Sequence, residues 1–289
     1  FHSRHIPVTF LVREKSFWDS ILPAEESQMV NRHIREHGID LRLESELKEI
    51  AGNEQGKVKG ISTSKGETID CGFVGLTVGV SPNIDFLRES GIELKKGILV
   101  DEYLKTCEAD VYAIGDCAEL RKPGPGRKAI EAIWYTGRMM GQTVAASICG
   151  EKTAYEPRLW FNSAKFFDIE YQVYGDIPAK RPDHISSLYW EHPDGKKSIR
   201  INYETESHVV TGFNLMGVRY RHEVCEKWML ERTKIEMVLL NLSLANFDPE
   251  FYDQYEAQLA RAFNNHEIPI LSGRKLGLVT RFLRNKEIF

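Results

Sequence analysis

The chain has 289 residues, 42% of them apolar and 28% charged, and its 38 basic and 42 acidic side chains give a formal charge of −4. That balance excludes a disordered polymer, a multi-span membrane protein and a strongly basic nucleic-acid binder. The five cysteines, Cys71, Cys107, Cys117, Cys149 and Cys225, are scattered and contain no CxxC pair, which argues against a structural zinc site and a disulfide scaffold and for a reducing, cytoplasmic compartment.

The length predicts two domains, or parts of three. No signal-peptide pattern opens the chain, and no apolar run approaches the roughly 20 residues of a membrane span. The stretch Ile6-Pro7-Val8-Thr9-Phe10-Leu11-Val12 reads as a buried strand, and a chain that starts inside its own sheet reads as truncated. A helix follows over 16–37, with Gly38 at its C-cap, then a strand over 39–43. Residues 47–50, 58–62 and 68–71 alternate between turn signals and predict an antiparallel meander. The apolar run 73–80 predicts another buried strand. Short strands over 98–101 and 111–114, the second buried, lead to a Pro-Gly loop and a helix over about 130–148 closed by Gly150. Beyond residue 152, strands over 166–174, 186–190, 198–203 and 208–215 precede helices over about 223–240 and 249–263. The expected fold is α/β: parts of two doubly wound dinucleotide-binding domains, the first carrying the meander, followed by an α+β C-terminal domain.

Chemistry concentrates in Thr106-Cys107-Glu108-Ala109-Asp110-Val111-Tyr112-Ala113-Ile114-Gly115-Asp116. A strand that delivers an acid to its carboxyl end, directly after a glycine, sets that acid where ligands bind in doubly wound sheets. A carboxylate there accepts hydrogen bonds from the vicinal hydroxyls of a ribityl or ribose chain. Gly-Asp is also ordinary turn chemistry, so the dipeptide alone leaves both readings open.

The wider pattern resembles the second flavin-binding motif of the pyridine nucleotide–disulfide oxidoreductase superfamily: Thr, four residues, then Val-Tyr-Ala-x-Gly-Asp. Thr77-Val78-Gly79-Val80-Ser81-Pro82-Asn83 is similar to that family's strand ending in Gly-x-x-Pro-Asn, and the helix through Met140-Gly141, Val144-Ala145 and Gly150 is similar to its following helix, with Met140 in place of Gln. The resemblance covers residues 1–150 and is nearest the ferredoxin- and rubredoxin-reductase branch. It implies a partial NAD(P)-binding domain over 1–82, the C-terminal part of an FAD-binding domain over 83–150, and a C-terminal interface domain over 151–289 through which a homodimer forms. It implies that Asp116 binds the FAD ribityl hydroxyls beside the backbone of Gly115 and Cys117, and it places Thr77 and Gly79 on the cofactor side. The helix after the loop then aims its positive end at the flavin. Trp134 stands seven residues before Gly141, as does a flavin-side tryptophan of that branch, with helix-core packing the competing reading.

Neither of the family's glycine fingerprints, G-x-G-x-x-G, occurs in the chain. The resemblance therefore implies half of each dinucleotide site and weak cofactor binding by this chain alone. After the first strand, Arg13 and Lys15 suit the 2′-phosphate of NADP, whereas Glu14 suits the ribose of NAD if the register slips by one. No catalytic residue can be named. The family's redox cysteine pair would lie upstream, His192-Pro193 reads as a turn between strands, and Cys117 reads as a small buried residue. His33 and His37 share a helix face, but no carboxylate or third ligand is placed beside them, so no metal site is expected. Residues 271–289 form a basic amphipathic pattern suited to packing on their own domain or to docking on an acidic surface. The function implied is an FAD-dependent NAD(P)H oxidoreductase with an unidentified acceptor. The alternatives are a thiol-based disulfide or peroxide reductase with its cysteine upstream, and a non-catalytic interaction module.

Overall fold

The computed structural model describes residues 1–124 and 126–264. It opens with a β–α–β unit in which β1 (Thr9–Val12) and β2 (Asp40–Leu43) run parallel, Thr9 opposite Asp40, on either side of α1 (Ala24–Glu36). β1 is half-buried rather than fully buried. Glu25 and Glu26 occupy the first turn of α1, where the helix dipole favours acids, and Gly38 ends it at φ 71°. The helix is shorter than the spacing predicts. Residues before it are tied sideways instead: the Phe17 N–H donates to Asn31 Oδ1 at 3.0 Å, and Ser16 and Ser27 hydroxyls meet at 2.5 Å.

β3 (Leu47–Gly52), β4 (Val58–Thr63) and β5 (Thr68–Asp70) form the expected antiparallel meander. The strand expected over 73–80 is absent; Phe73, Leu76, Val78 and Val80 are 66%, 64%, 89% and 86% exposed. A continuous apolar run holds as a strand only where a neighbour bonds its edge and layers cover both faces, and neither surrounds this segment among the described residues. β6 (Ile98–Val100) forms as expected but pairs in parallel with β7 (Ala118–Leu120), which the sequence did not suggest. The strand expected over 111–114 reduces to an isolated bridge between Tyr112 and Lys105, with the Ala113 N–H donating to Leu104 O at 3.1 Å and Ile114 exposed. α2 (Trp134–Ile148) starts later than predicted and packs Met140 and Val144 onto Val100, Leu104, Ala118 and Leu120.

The remaining strands, β8 (Phe161–Phe166), β9 (Ile169–Gly175), β10 (Ile185–Glu191), β11 (Ser198–Glu204) and β12 (Val210–Met216), form one antiparallel sheet in the order β10-β11-β12-β9-β8. The single strand expected over 166–174 is a hairpin turning at Phe167 and Asp168, with Phe166 opposite Ile169. His192 to Gly195 form the expected turn. One sheet face, with Ile199, Ile201, Phe213 and Leu215, is covered by α3 (His222–Leu230), α4 (Ile235–Leu240) and α5 (Glu256–Asn264). The break between α3 and α4, where one helix was expected, has a cause. Arg232 turns at φ 54°, the Val210 N–H bonds Thr233 O at 3.0 Å, and the Ile235 N–H bonds His208 O at 2.9 Å, so this stretch pairs with the start of β12.

The other sheet face is covered by α1. Met29, Val30 and Ile34 pack on Tyr171, Val173 and Met216. Polar groups are buried there too: Arg200 donates to Glu26 Oε1 at 2.7 Å and Oε2 at 2.9 Å, and Asn214 Nδ2 donates to Oε1 at 3.0 Å. The basic pattern at 271–289 lies outside the described residues.

Candidate functional site

Gly115, Asp116 and Cys117 form a single tight turn that leads directly into β7. The acid therefore sits before a strand rather than at the carboxyl end of one, which corrects the expectation. Gly115 adopts φ 72°, a conformation that favours glycine. Its N–H points at Met140 Sδ, 3.4 Å away, and a Cβ added at Gly137 would touch Gly115 Cα at 3.5 Å. Gly137 thus lets the first turn of α2 come close to the motif backbone, while Gly141 leaves room for the Ile114 side chain. On the other side, Cys117 Sγ lies 4.0 Å from Asn83 O, which brings the end of the 77–83 segment to the same turn.

The support beneath the turn is built from buried charge. Glu119, in β7, is buried, and its Oε2 accepts the N–H groups of Lys96 and Gly97, both at 2.8 Å, with Lys95 Nζ 3.8 Å from Oε1. The loop before α2 is held by Arg127 and Glu131, whose buried side chains pair through Nε and Oε1 at 2.6 Å, while Thr136 donates to the same carboxylate at 3.2 Å. Sequence reasoning missed both acids. The only signal available was a charged residue inside an apolar stretch.

Asp116 itself is exposed. Trp134, the first residue of α2, is 68% exposed, with Arg138 5.6 Å above its ring, so the core-packing reading does not hold. Cys117 is half-buried, not buried. No side chain caps α2 at Ile133, which leaves N–H groups of its first turn free for an acceptor. Thr77 and Gly79 lie on the exposed 73–80 segment. Arg13 stands apart on the β1–β2 sheet, ion-paired to Glu14 at 2.8 Å, and Glu14 raises its pKa. The structure therefore gathers Gly115, Asp116, Cys117 and the start of α2, and leaves Arg13 elsewhere. A cavity lined by Pro23, Glu25, Arg181 and Arg200 opens at the start of α1, on different residues.

One negative expectation is overturned. The hairpin turn between β8 and β9 brings Asp168 Oδ1 to 2.6 Å from His33 Nε2 and 3.6 Å from His37 Nε2, so a carboxylate does stand beside the histidine pair.

Taken together, a β–α–β unit with a meander, a Gly-Asp turn against a glycine-bearing helix and an α+β end define a mixed α/β fold of the dinucleotide-binding flavoprotein class. Residues 1–146 match the family model described as pyridine nucleotide-disulphide oxidoreductase, and the chain belongs to that family. It is 34% identical over 133 residues to rhodocoxin reductase of Rhodococcus erythropolis, covering 45% of this chain and 30% of that protein. It is 30% identical over 136 residues to the rubredoxin-NAD(+) reductase of Ectopseudomonas oleovorans, covering 46% and 35%. The chain thus spans about a third of the length of the curated relatives it matches. Among solved structures, a NAD-dependent persulfide reductase from A. fulgidus superposes with a TM-score of 0.72 at 20% identity, over 90% of this chain and 51% of that one. The covalent putidaredoxin reductase–putidaredoxin complex gives 0.68 at 16% identity, over 89% and 59%. These likenesses extend the shared fold past residue 146. No helix among the described residues is long and apolar enough to cross a membrane.

Proposed function

We propose that this chain is part of an FAD-dependent NAD(P)H oxidoreductase that passes electrons to a small redox protein. In this reading residues 1–82 contribute part of the NAD(P)-binding domain, 83–150 the C-terminal part of the FAD-binding domain, and 151–289 the interface domain. One observation carries it: the Gly115–Cys117 turn of the family motif sits against the uncapped start of α2, with Asp116 and Trp134 both open to a ligand.

The residues present fit one half of a flavin. The Asp116 carboxylate suits the ribityl hydroxyls, and the first-turn N–H groups of α2 suit a polar ring edge that gains negative charge on reduction. A pyrophosphate cradle of the G-x-G-x-x-G kind is not found in residues 1–289. When bound, the flavin supplies the hydride acceptor and the electron relay, while the protein orients and tunes it. Glu119 and the Arg127–Glu131 pair hold turn and helix in register, and the exposed Trp134 would cover one side of a bound flavin. The acceptor class rests on the names of the relatives, which are reductases of rubredoxin and of rhodocoxin.

The test is flavin and nicotinamide binding by the protein that carries this chain. FAD should be bleached by NADH or NADPH. Asp116→Ala should weaken FAD binding about 10- to 100-fold, the equivalent of about 1.5–3 kcal/mol for hydrogen bonds to a charged group. Unchanged FAD affinity in Asp116→Ala removes Asp116 from the site, and a flavin that neither nucleotide bleaches removes the activity.

A further inference from the structure

Outside the flavin-motif turn, the described residues hold one cluster whose donors converge. His33 and His37 lie one turn apart at the C-terminal end of α1, and Asp168 reaches them from the β8–β9 turn, so that a ring nitrogen of each histidine and a carboxylate oxygen lie within 4.8 Å of one another. His33 is buried, His37 is half-buried and Asp168 is exposed, giving a cluster with one open side.

With both imidazoles neutral, the proton arrangement is unsatisfied. The His37 Nδ1–H donates to His33 O at 2.9 Å, which leaves His37 Nε2 as a lone pair facing Asp168 Oδ1 at 3.6 Å. Two acceptors face each other there. On His33, a proton on Nε2 serves Asp168 but leaves the buried Nδ1 with no hydrogen-bond partner, its lone pair turned toward Glu36 Oε2 at 3.6 Å. A cation at the shared point resolves both conflicts. It takes the two Nε2 lone pairs and the carboxylate, and it moves the His33 proton to Nδ1, where Glu36 faces it. A ring nitrogen bound to metal while its partner N–H is held by a carbonyl or a carboxylate is the usual outer-shell arrangement of metal-ligating histidine.

We propose that His33, His37 and Asp168 form a binding site for a late first-row divalent cation of the zinc class. Two imidazoles and one carboxylate match that ion's preference and leave a coordination position for water. Ligand atoms about 2.0–2.2 Å from a tetrahedral ion lie about 3.4 Å apart, so the Asp168 carboxylate has to withdraw from His33 while the wider spacings, all within 4.8 Å, close toward that value. Its place on an exposed two-residue turn allows that movement. Lys196 Nζ, 3.7 Å from Asp168 Oδ2, sits on the oxygen that the site does not use. The ion ties the end of α1 to the β8–β9 turn.

The experiment titrates zinc into the full, chelator-stripped chain against a chromophoric competitor, with thermal unfolding in parallel. The wild type should hold one equivalent and unfold at a higher temperature with zinc than without. His37→Gln and Asp168→Asn, each checked for native circular dichroism, should bind at least tenfold more weakly and lose the thermal shift. Cobalt in place of zinc should show nitrogen and oxygen ligation without a thiolate charge-transfer band. No zinc binding by the wild type, equal binding by the folded variants, or a thiolate band that assigns the metal to cysteine overturns the site.

Discussion

Replacing Glu26 with alanine tests the contact between the first β–α–β unit and the antiparallel sheet. The Glu26 side chain is 0% exposed and accepts three hydrogen bonds, two from Arg200 and one from Asn214. Without it the buried guanidinium keeps only Ser187 Oγ at 2.8 Å and Glu25 Oε2 at 2.7 Å, and the Glu25 side chain is 52% exposed. Burial is the largest single influence and by itself would lower the Arg200 pKa; the hydrogen bonds Arg200 donates to Glu26 and Glu25, together with the charges of both carboxylates, outweigh it and keep the value raised. Breaking a buried pair from one side costs about 3–5 kcal/mol, and with Glu25 retained the lower end, about 3 kcal/mol, is expected for Glu26→Ala. Removing both charges together, Glu26→Leu with Arg200→Met, leaves no stranded ion. The double variant should then be more stable than the summed single effects imply by at least about 2 kcal/mol. Urea unfolding followed by tryptophan fluorescence and far-UV circular dichroism measures each, with the m-value held constant across the set. A Glu26→Ala protein within about 1 kcal/mol of wild type, or strictly additive single and double variants, refutes the buried bridge.

Three further outcomes follow from the geometry. Gly97→Ala puts a Cβ 2.8 Å from Cys117 O and 3.0 Å from Glu119 Cβ, so it should destabilise by about 1–3 kcal/mol and weaken flavin binding; wild-type values for both would show that this close approach does not support the turn. Burial pushes the Glu236 carboxyl up, but the His208 hydrogen bond, a backbone hydrogen bond and the charges of His208 and Lys234 together outweigh it, and the pKa lies below the usual value. A depressed folded pKa stabilises above the unfolded value, about 4.3, and that stabilisation is lost as pH falls through the folded value; the gap between wild type and Glu236→Gln should narrow on acidification, and a gap independent of pH contradicts the pairing. Burial also pushes the Cys225 thiol up, whereas Cys107 and Cys149 are exposed. Iodoacetamide should therefore label the exposed pair in the native protein and reach Cys225 only after unfolding, as read by peptide mass.

Much of the fold is legible in the sequence where a pattern reports its own environment. The meander over β3, β4 and β5 is marked by its turns, where Gly56 at φ 71° and Gly66 at φ 79° reverse the chain, and Gly38 marks the end of α1 because the chain turns left-handed there. Legibility fails where a neighbour decides. Residues 73–80 and 111–114 carry apolar runs suited to parallel strands, yet a strand needs a bonded edge, and composition does not say whether one is supplied. Arg200 and Asn214 alternate with apolar residues as a solvent face does, but α1 covers them. At the motif, Gly115 and Asp116 were identified by their order along the chain, and the close approach of Gly137 was not. The His33 and His37 spacing was visible, but Asp168 lies 135 positions from His33, and only the return of the β8–β9 hairpin brings it there.

Because α1 is both the connecting helix of β1 and β2 and the lid over the polar side of the five-stranded sheet, those pieces share one mechanical fate. A β1–α1–β2 unit that swung as a rigid body would have to drag the sheet with it or tear the Arg200–Glu26 bridge. Relative motion between parts of the chain is then confined to other joints of the molecule. Cross-linking α1 to β12 should accordingly leave the activity proposed above untouched.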